Sequence, residues 1–334
     1  MPEENLQVRL AARPEGRPKR DDFDIVEEPV AEPSEGEVLV RERFLSLDPA
    51  IRGWMADRKS YVPPIGIGEV MRGLGVGEVV RSEADGFSEG DTVAGLLGWQ
   101  RFAVVAADEL QRVPPGIDPK LALGPLGMTG LTAYFGLLDV GEPRQGETVL
   151  VSGAAGAVGS VVGQLAKIKG CRAVGTAGTD EKCRWLTETA GFDAAINYRT
   201  VESLDEAIGE HCPDGVDIYF DNVGGEILDT ALKHLARGAR VVICGAISIY
   251  NATEPPPGPR NYMQLLVQRA RMEGFLVMDY RDRYAAAQVE LGSWLAAGRI
   301  EYRFHVVDGL ENAPEALNML FDGSKEGKLL VRVD

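Results

Sequence analysis

Three glycines, Gly153, Gly156 and Gly159, recur at every third position inside VLVSGAAGAVGSVVGQLAKIKG, the stretch from Val149 to Gly170. Alanines fill most of the space between them. Before the glycines runs the apolar ETVLVSG, which reads as a buried strand. After them Val158, Val161, Val162, Leu165 and Ala166 fall on one face of a helix. Glycine is costly in regular structure, so a run of small residues between a strand and a helix implies that something must approach the backbone closely. A pyrophosphate answers that description. The helix start offers unpaired N–H groups and the positive end of the helix dipole, and the missing side chains let an anion reach them. The spacing differs from the commoner GxGxxG, because two alanines separate the first glycine from the second.

The next strand selects among nucleotides. An acidic residue about 20 positions after the glycines marks a fold that holds the ribose hydroxyls of NAD. Here the strand ends VGTAGTDEK, and its tip presents Ala177, Gly178 and Thr179. Asp180 follows at a position that also suits a helix cap, and Lys182 lies within reach of the same spot. A cation beside hydroxyl groups suits a 2′-phosphate, so the reading favours NADP(H).

Absent residue types narrow the chemistry further. The first 170 residues contain neither cysteine nor histidine, and His211, His234 and His305 are scattered. Catalytic zinc needs converging Cys, His or carboxylate ligands, so zinc-assisted chemistry is not expected. No Ser-His-Asp arrangement is suggested either. Cys171, Cys183, Cys212 and Cys244 form no CxxC pair, which fits a reduced, cytoplasmic protein. The formal charge is −16, from 35 Lys and Arg against 51 Asp and Glu, and this argues against nucleic-acid or anionic-membrane partners. No apolar stretch is long enough for a membrane span, and the N-terminal residues lack the apolar core of a secretory leader.

The elements that must position these residues follow two rhythms. The first third is β-rich, with short strands in GEVLVRERFLSLDP, GVGEVVRSE and GDTVAGLLGWQRFAVVA broken by Gly and Pro. From about Leu126, strand-like and helix-like segments alternate, which implies a parallel sheet covered by helices. The tail adds a helix in ENAPEALNMLFDG and a last strand in GKLLVRV.

The motifs RPEGRP, LSLDP, GVGEV, GMTGLTAYFGL, AAGAVGSVVGQLAKIKGC, GTDEK, FDNVGGEILD and ICGAISIYN run nearly the length of the chain. Together they resemble the zinc-free medium-chain dehydrogenase/reductase superfamily. Within it they resemble the group of leukotriene B4 dehydrogenases, prostaglandin reductases, curcumin reductases and plant double-bond reductases. The resemblance implies an α/β protein with a GroES-like β-rich catalytic domain over residues 1–125, completed by 300–334. A Rossmann domain, a doubly wound parallel sheet, would span 126–299. It implies NADPH-dependent reduction of the C=C bond of an α,β-unsaturated ketone or aldehyde, with an enone or enal as substrate partner. A quinone reductase on the same scaffold, or a non-catalytic NADPH-binding protein, are the alternatives.

By the same resemblance Gly156, Ala157, Val158 and Gly159 hold the pyrophosphate, and Lys182 with Tyr198 lies at the 2′-phosphate. Asn222, the run Cys244, Gly245, Ala246, Ile247, Ser248 to Tyr250, and Phe275, Leu276 and Val277 follow the cofactor toward the nicotinamide. Relatives often carry Asn where Lys325 of GSKEGK aligns. They also carry a pocket tyrosine in DPYMR, where this chain reads DPAIR with Ala50. Tyr61, Tyr250 and Tyr262 are then the candidate phenols, and Tyr262 ranks first because it follows the stiff EPPPGP loop. Hydride addition to an enone puts charge on the carbonyl oxygen, which a tyrosine hydroxyl or the nicotinamide ribose hydroxyl could stabilise. The apolar ARMEGFLVMDY suggests an edge strand of the Rossmann sheet, and the resemblance implies that it pairs across a two-fold axis in a homodimer.

Overall fold

The computed structural model describes residues 4–333. The first part of the chain is a set of short antiparallel strands: β1 (Glu4–Leu10), β2 (Phe23–Pro29), β3 (Glu37–Ser46), β4 (Gly75–Ser82), β5 (Thr92–Gly95), β6 (Phe102–Ala106) and β7 (Gln111–Arg112). A single short helix, α1 (Ala50–Trp54), interrupts them after the Asp48–Pro49 step. The chain then alternates strand and helix through α2 (Met128–Phe135), β8 (Thr148–Val151), α3 (Gly159–Ile168), β9 (Arg172–Ala177), α4 (Asp180–Glu188), β10 (Ala194–Asn197), α5 (Leu204–His211), β11 (Val216–Asp221), α6 (Gly225–Lys233), β12 (Leu235–Ile243), α7 (Met263–Gln268) and β13 (Arg271–Gly274). After α8 (Tyr284–Ala296) come β14 (Phe304–Asp308), α9 (Ala313–Asp322) and β15 (Lys328–Arg332).

The alternating part forms a six-stranded sheet in the order β10-β9-β8-β11-β12-β13, with every pairing parallel. Its strands are apolar on both faces because helices cover both. On one side Val149, Val151, Phe220 and Val242 meet α2, α3 and α8 through Phe135, Val161, Val162, Leu165 and Leu291. On the other side Leu150, Val174, Tyr219 and Val241 meet Ile208, Ala231 and Leu232 of α5 and α6. The strand order reverses between β8 and β11. In such sheets a crevice opens there, beyond the carboxyl ends of the strands.

The other large sheet runs β14-β15-β3-β4-β5-β7, with β6 also paired to β3. β1 and β2 pair with each other as a separate two-stranded sheet, while the final strand β15 lies antiparallel to β3, so the end of the chain returns to the large sheet of the first third. This return carries the loop before β15 to the glycine turn, where Gly327 bridges Gly156. The parallel sheet, the β-rich sheet and the returning tail agree with the α/β architecture expected from the sequence.

One core residue of the β-rich sheet is unusual. Glu42 of β3 is fully buried, and neither carboxyl oxygen has a well-formed hydrogen bond. Burial pushes its pKa well above the ordinary 4.5, and the nearby Gln100 backbone offsets this only in part.

Candidate functional site

The two sheets enclose a cleft of about 1030 Å³. The carboxyl ends of the parallel strands furnish one wall, each for a local reason. After β8 the backbone turns through Gly153 at φ +59°, a conformation open to glycine and strained for other residues. At Gly159, the first residue of α3, a Cβ would stand 2.5 Å from the Gly153 carbonyl oxygen, so any side chain would push the turn apart. Gly156, Ala157, Val158 and Gly159 line the cleft at this point. Tyr302, half-buried behind the turn, donates to the Ala157 carbonyl at 3.3 Å, and its hydroxyl lies 3.2 Å from that of Thr129 on α2. The turn is therefore held from behind as well as bare in front.

The tips of β9 and β10 form the basic end. Thr179 caps α4 by accepting the Lys182 N–H at 3.3 Å, while Asp180 accepts from Asn197 Nδ2 at 2.6 Å. The acid nearest the strand tip is thus engaged by its neighbour, and Lys182 lines the cleft with Tyr198. Lys182 donates to the Gly323 carbonyl at 2.5 Å. Its pKa is lowered, first by desolvation and then by Arg199 and Arg303. Arg199 also lines the cleft and donates to the Asp322 carbonyl at 2.9 Å. Sequence reasoning missed Arg199, although it directly follows Tyr198 in INYR.

At the end of β11, Asp221 organises the DNVGG turn. Its Oδ1 accepts from Ser152 Oγ, the Tyr219 hydroxyl and the N–H groups of Val223 and Gly224, all within 2.8–3.0 Å. Asn222 beside it donates to the Ser152 carbonyl at 2.8 Å and faces the cleft. Beyond β12 the N–H groups of Cys244 and Gly245 donate to the Asp221 carbonyl. Cys244, Gly245, Ile247, Ser248 and Tyr250 line the cleft, as do Phe275, Leu276 and Val277 after β13. Ala246 does not; its N–H donates to Tyr250 Oη at 3.2 Å and fixes that phenol. Burial raises the Tyr250 pKa, with the Ala246 N–H opposing the rise.

The β-rich side contributes Asp48, Ala50, Ile51, Trp54, Tyr61 and Leu96, and α2 contributes Met128 and Thr132. This half is mainly apolar. Ala50 stands on its wall, where a small side chain leaves room.

Tyr262 requires a correction. It stands just before α7, is 56% exposed and does not line the cleft. The preceding residue explains this. Asn261 donates from its backbone N–H to Asp229 Oδ1 and from Nδ2 to the Asp229 carbonyl, which pins the start of α7 to α6. Leu265 of α7 then packs with the core on the outer face of the parallel sheet, away from the crevice. The phenols in the cleft are Tyr250 and the 49% exposed Tyr61, with Tyr198 at the basic end.

Among the described residues, no three or more His, Cys, Asp or Glu side chains converge as a metal site. The donor set does not suit catalytic zinc. All four cysteines are free thiols. Burial pushes Cys171 and Cys212 up to about 11 and Cys244, on the cleft wall, to about 12, and it raises Cys183 as well.

Residues 6–113 match the family described as the N-terminal domain of oxidoreductase, and residues 157–291 match the zinc-binding dehydrogenase family. The chain is 44% identical to the NADPH-dependent curcumin reductase of Escherichia coli, over 98% of this chain and 97% of that one. It is 41% identical to the NADP-dependent 2-alkenal reductase of Nicotiana tabacum, with the same coverage of 98% and 97%. The crystal structure of CurA from Vibrio vulnificus in complex with NADPH superposes with a TM-score of 0.93 at 43% identity, covering 98% of this chain and 99% of that one.

Proposed function

This chain belongs to the zinc-free medium-chain dehydrogenase/reductase family, and from that premise we propose that it uses NADPH to reduce the C=C bond of α,β-unsaturated ketones and aldehydes. The observation that carries this reading is one cleft joining a glycine cradle and a cationic end to a mainly apolar pocket on the β-rich side. Relatives named for curcumin and 2-alkenal reduction support it.

The bare turn at Gly153 and the space kept open by Gly159 suit a pyrophosphate, so the residues present fit the cofactor. Gly156 to Gly159 would hold it there, Lys182, Tyr198 and Arg199 would meet its 2′-phosphate, and Asn222, Cys244, Gly245, Ile247, Ser248, Tyr250 and Phe275 to Val277 would line the path to the nicotinamide. Bound NADPH supplies the hydride that adds to the substrate's β-carbon. The apolar wall of Ile51, Trp54 and Leu96 holds the enone and thins the water around it, which strengthens any dipole aimed at its carbonyl. Tyr250, held by the Ala246 N–H and kept protonated by burial, would donate to the developing enolate oxygen. The α-carbon then takes its proton from this hydroxyl or from water. We further propose that residues 1–125 with 300–334 form the substrate-bearing unit and 126–299 the cofactor-bearing unit, and that the enzyme works as a homodimer in the cytoplasm.

The test is NADPH consumption against matched panels of enones, enals and quinones. Preferential turnover of enones supports the reading. Faster turnover of quinones would convert the assignment to quinone reductase, and tight NADPH binding with no turnover of either would leave a binding protein.

A further inference from the structure

Lys325 stands in the loop that the returning tail lays across the glycine turn. Its Nζ would lie only 3.7 Å from a Cβ built at Gly156, and it lines the same cleft. It donates to the Gly327 carbonyl at 2.6 Å and, among the described residues, has no carboxylate partner. The neighbouring Lys328 shows what a paired ammonium looks like here: fully buried, it donates to Asp48 Oδ1 at 2.6 Å and to the Leu47 carbonyl at 3.2 Å. Asp48 is thereby engaged, also by the Ser46 hydroxyl. A half-buried ammonium beside a helix N-terminus, with a single carbonyl as its partner, suits an incoming anion.

We propose that Lys325 is a pyrophosphate-binding residue that binds a proton as the cofactor docks, so that NADPH binding takes one up from solvent. The proposal rests on the cofactor reading above. The charged groups facing Lys325 come from every element around it: Lys182 from α4, Lys328 from β15 and Arg303 ahead of β14 disfavour its charge, and Asp48 favours it. Desolvation is the largest influence, and together they push Lys325 down to about 7. At pH 8 the free protein therefore carries Lys325 mostly neutral. A pyrophosphate beside it restores the charged form, and affinity must then fall as pH rises above 7. An Asn at this position would have no such coupling.

Calorimetric titration of the intact protein with NADPH at pH 8, in buffers of different ionisation enthalpy, reads the proton count directly. The expected result is uptake approaching one proton, which persists with NADH because NADH keeps the pyrophosphate. Lys325→Gln should abolish that uptake with NADH and weaken both nucleotides about tenfold to a hundredfold. Lys325→Arg, charged at every pH used, should keep the affinity but lose the uptake and the decline above pH 7, which a purely structural lysine would not produce. Wild-type affinity or undiminished proton uptake in Lys325→Gln would overturn the proposal alone. Failure of the wild-type protein to bind NADPH would overturn the cofactor reading and this proposal with it.

Discussion

At the scale of single residues, two side chains would divide the labour of recognition and chemistry in the proposed reaction. Lys182 sits at the strand tip where an acid would repel a 2′-phosphate, and its partly desolvated ammonium gains most from an incoming anion. Lys182→Ala should raise the KM for NADPH about tenfold to a hundredfold and leave that for NADH nearly unchanged, since a charge-assisted contact contributes roughly 1.5–3 kcal/mol. Equal losses with both nucleotides would refute the assignment. Tyr250 is the phenol that a backbone N–H fixes inside the cleft. Tyr250→Phe removes only the hydroxyl, and kcat should fall about tenfold to a thousandfold with NADPH affinity unchanged. Tyr262→Phe, on the outer surface, should change kcat by less than a factor of about three. The reverse ranking in steady-state kinetics would restore Tyr262 to the mechanism.

At the scale of elements, what could be read in advance was what a short segment decides for itself. The glycine turn, the apolar face of α3 and the alternation of strand and helix are local patterns, and each is visible in ten to twenty residues. Tyr262 lies outside the cleft because its direction depends on Asn261 meeting Asp229, a contact 32 residues away in sequence that no local pattern announces. Arg199 and Lys325 gain meaning only when the tail folds back over β10 and the glycine turn, and no local pattern encodes that return. Glu42 has the same character: its strand reads as an ordinary alternation, yet the sheet closes over its carboxyl group. Because the folded pKa is raised, the native state holds a proton that the unfolded chain releases above about pH 4.5. Stability should therefore decline as pH rises from 4.5 toward the folded value, by up to about 1.4 kcal/mol per pH unit. Glu42→Gln, which mimics the protonated acid, should flatten that decline and raise the midpoint of chemical denaturation at pH 8. Identical pH profiles for the two proteins would show that Glu42 ionises freely.

At the scale of the whole molecule, charge and shape are distributed unevenly. The chain carries a formal charge of −16, yet Lys182, Arg199, Lys325 and Lys328 gather in one cleft. An anionic cofactor thus meets a local attraction inside a surface that repels nucleic acid and anionic lipid. The parallel sheet ends at β13, whose outer edge has no strand beside it among the described residues. Nearby α7 exposes Met263, Leu266 and Val267. An open edge next to apolar surface favours pairing with a second copy, and light scattering at micromolar concentration should report twice the 36.1 kDa chain mass. A monomer there would refute the dimer. The buried thiols, finally, bear on how long such a catalyst lasts. Its proposed substrates are soft electrophiles, which alkylate thiolates and largely spare thiols. Desolvation pushes Cys244 up to about 12, so at pH 7 it is held as the thiol. A thiol held in that form on the cleft wall should spare itself from the compounds that pass along it, and an unchanged protein mass after incubation with an excess of an enal at pH 7 would check this.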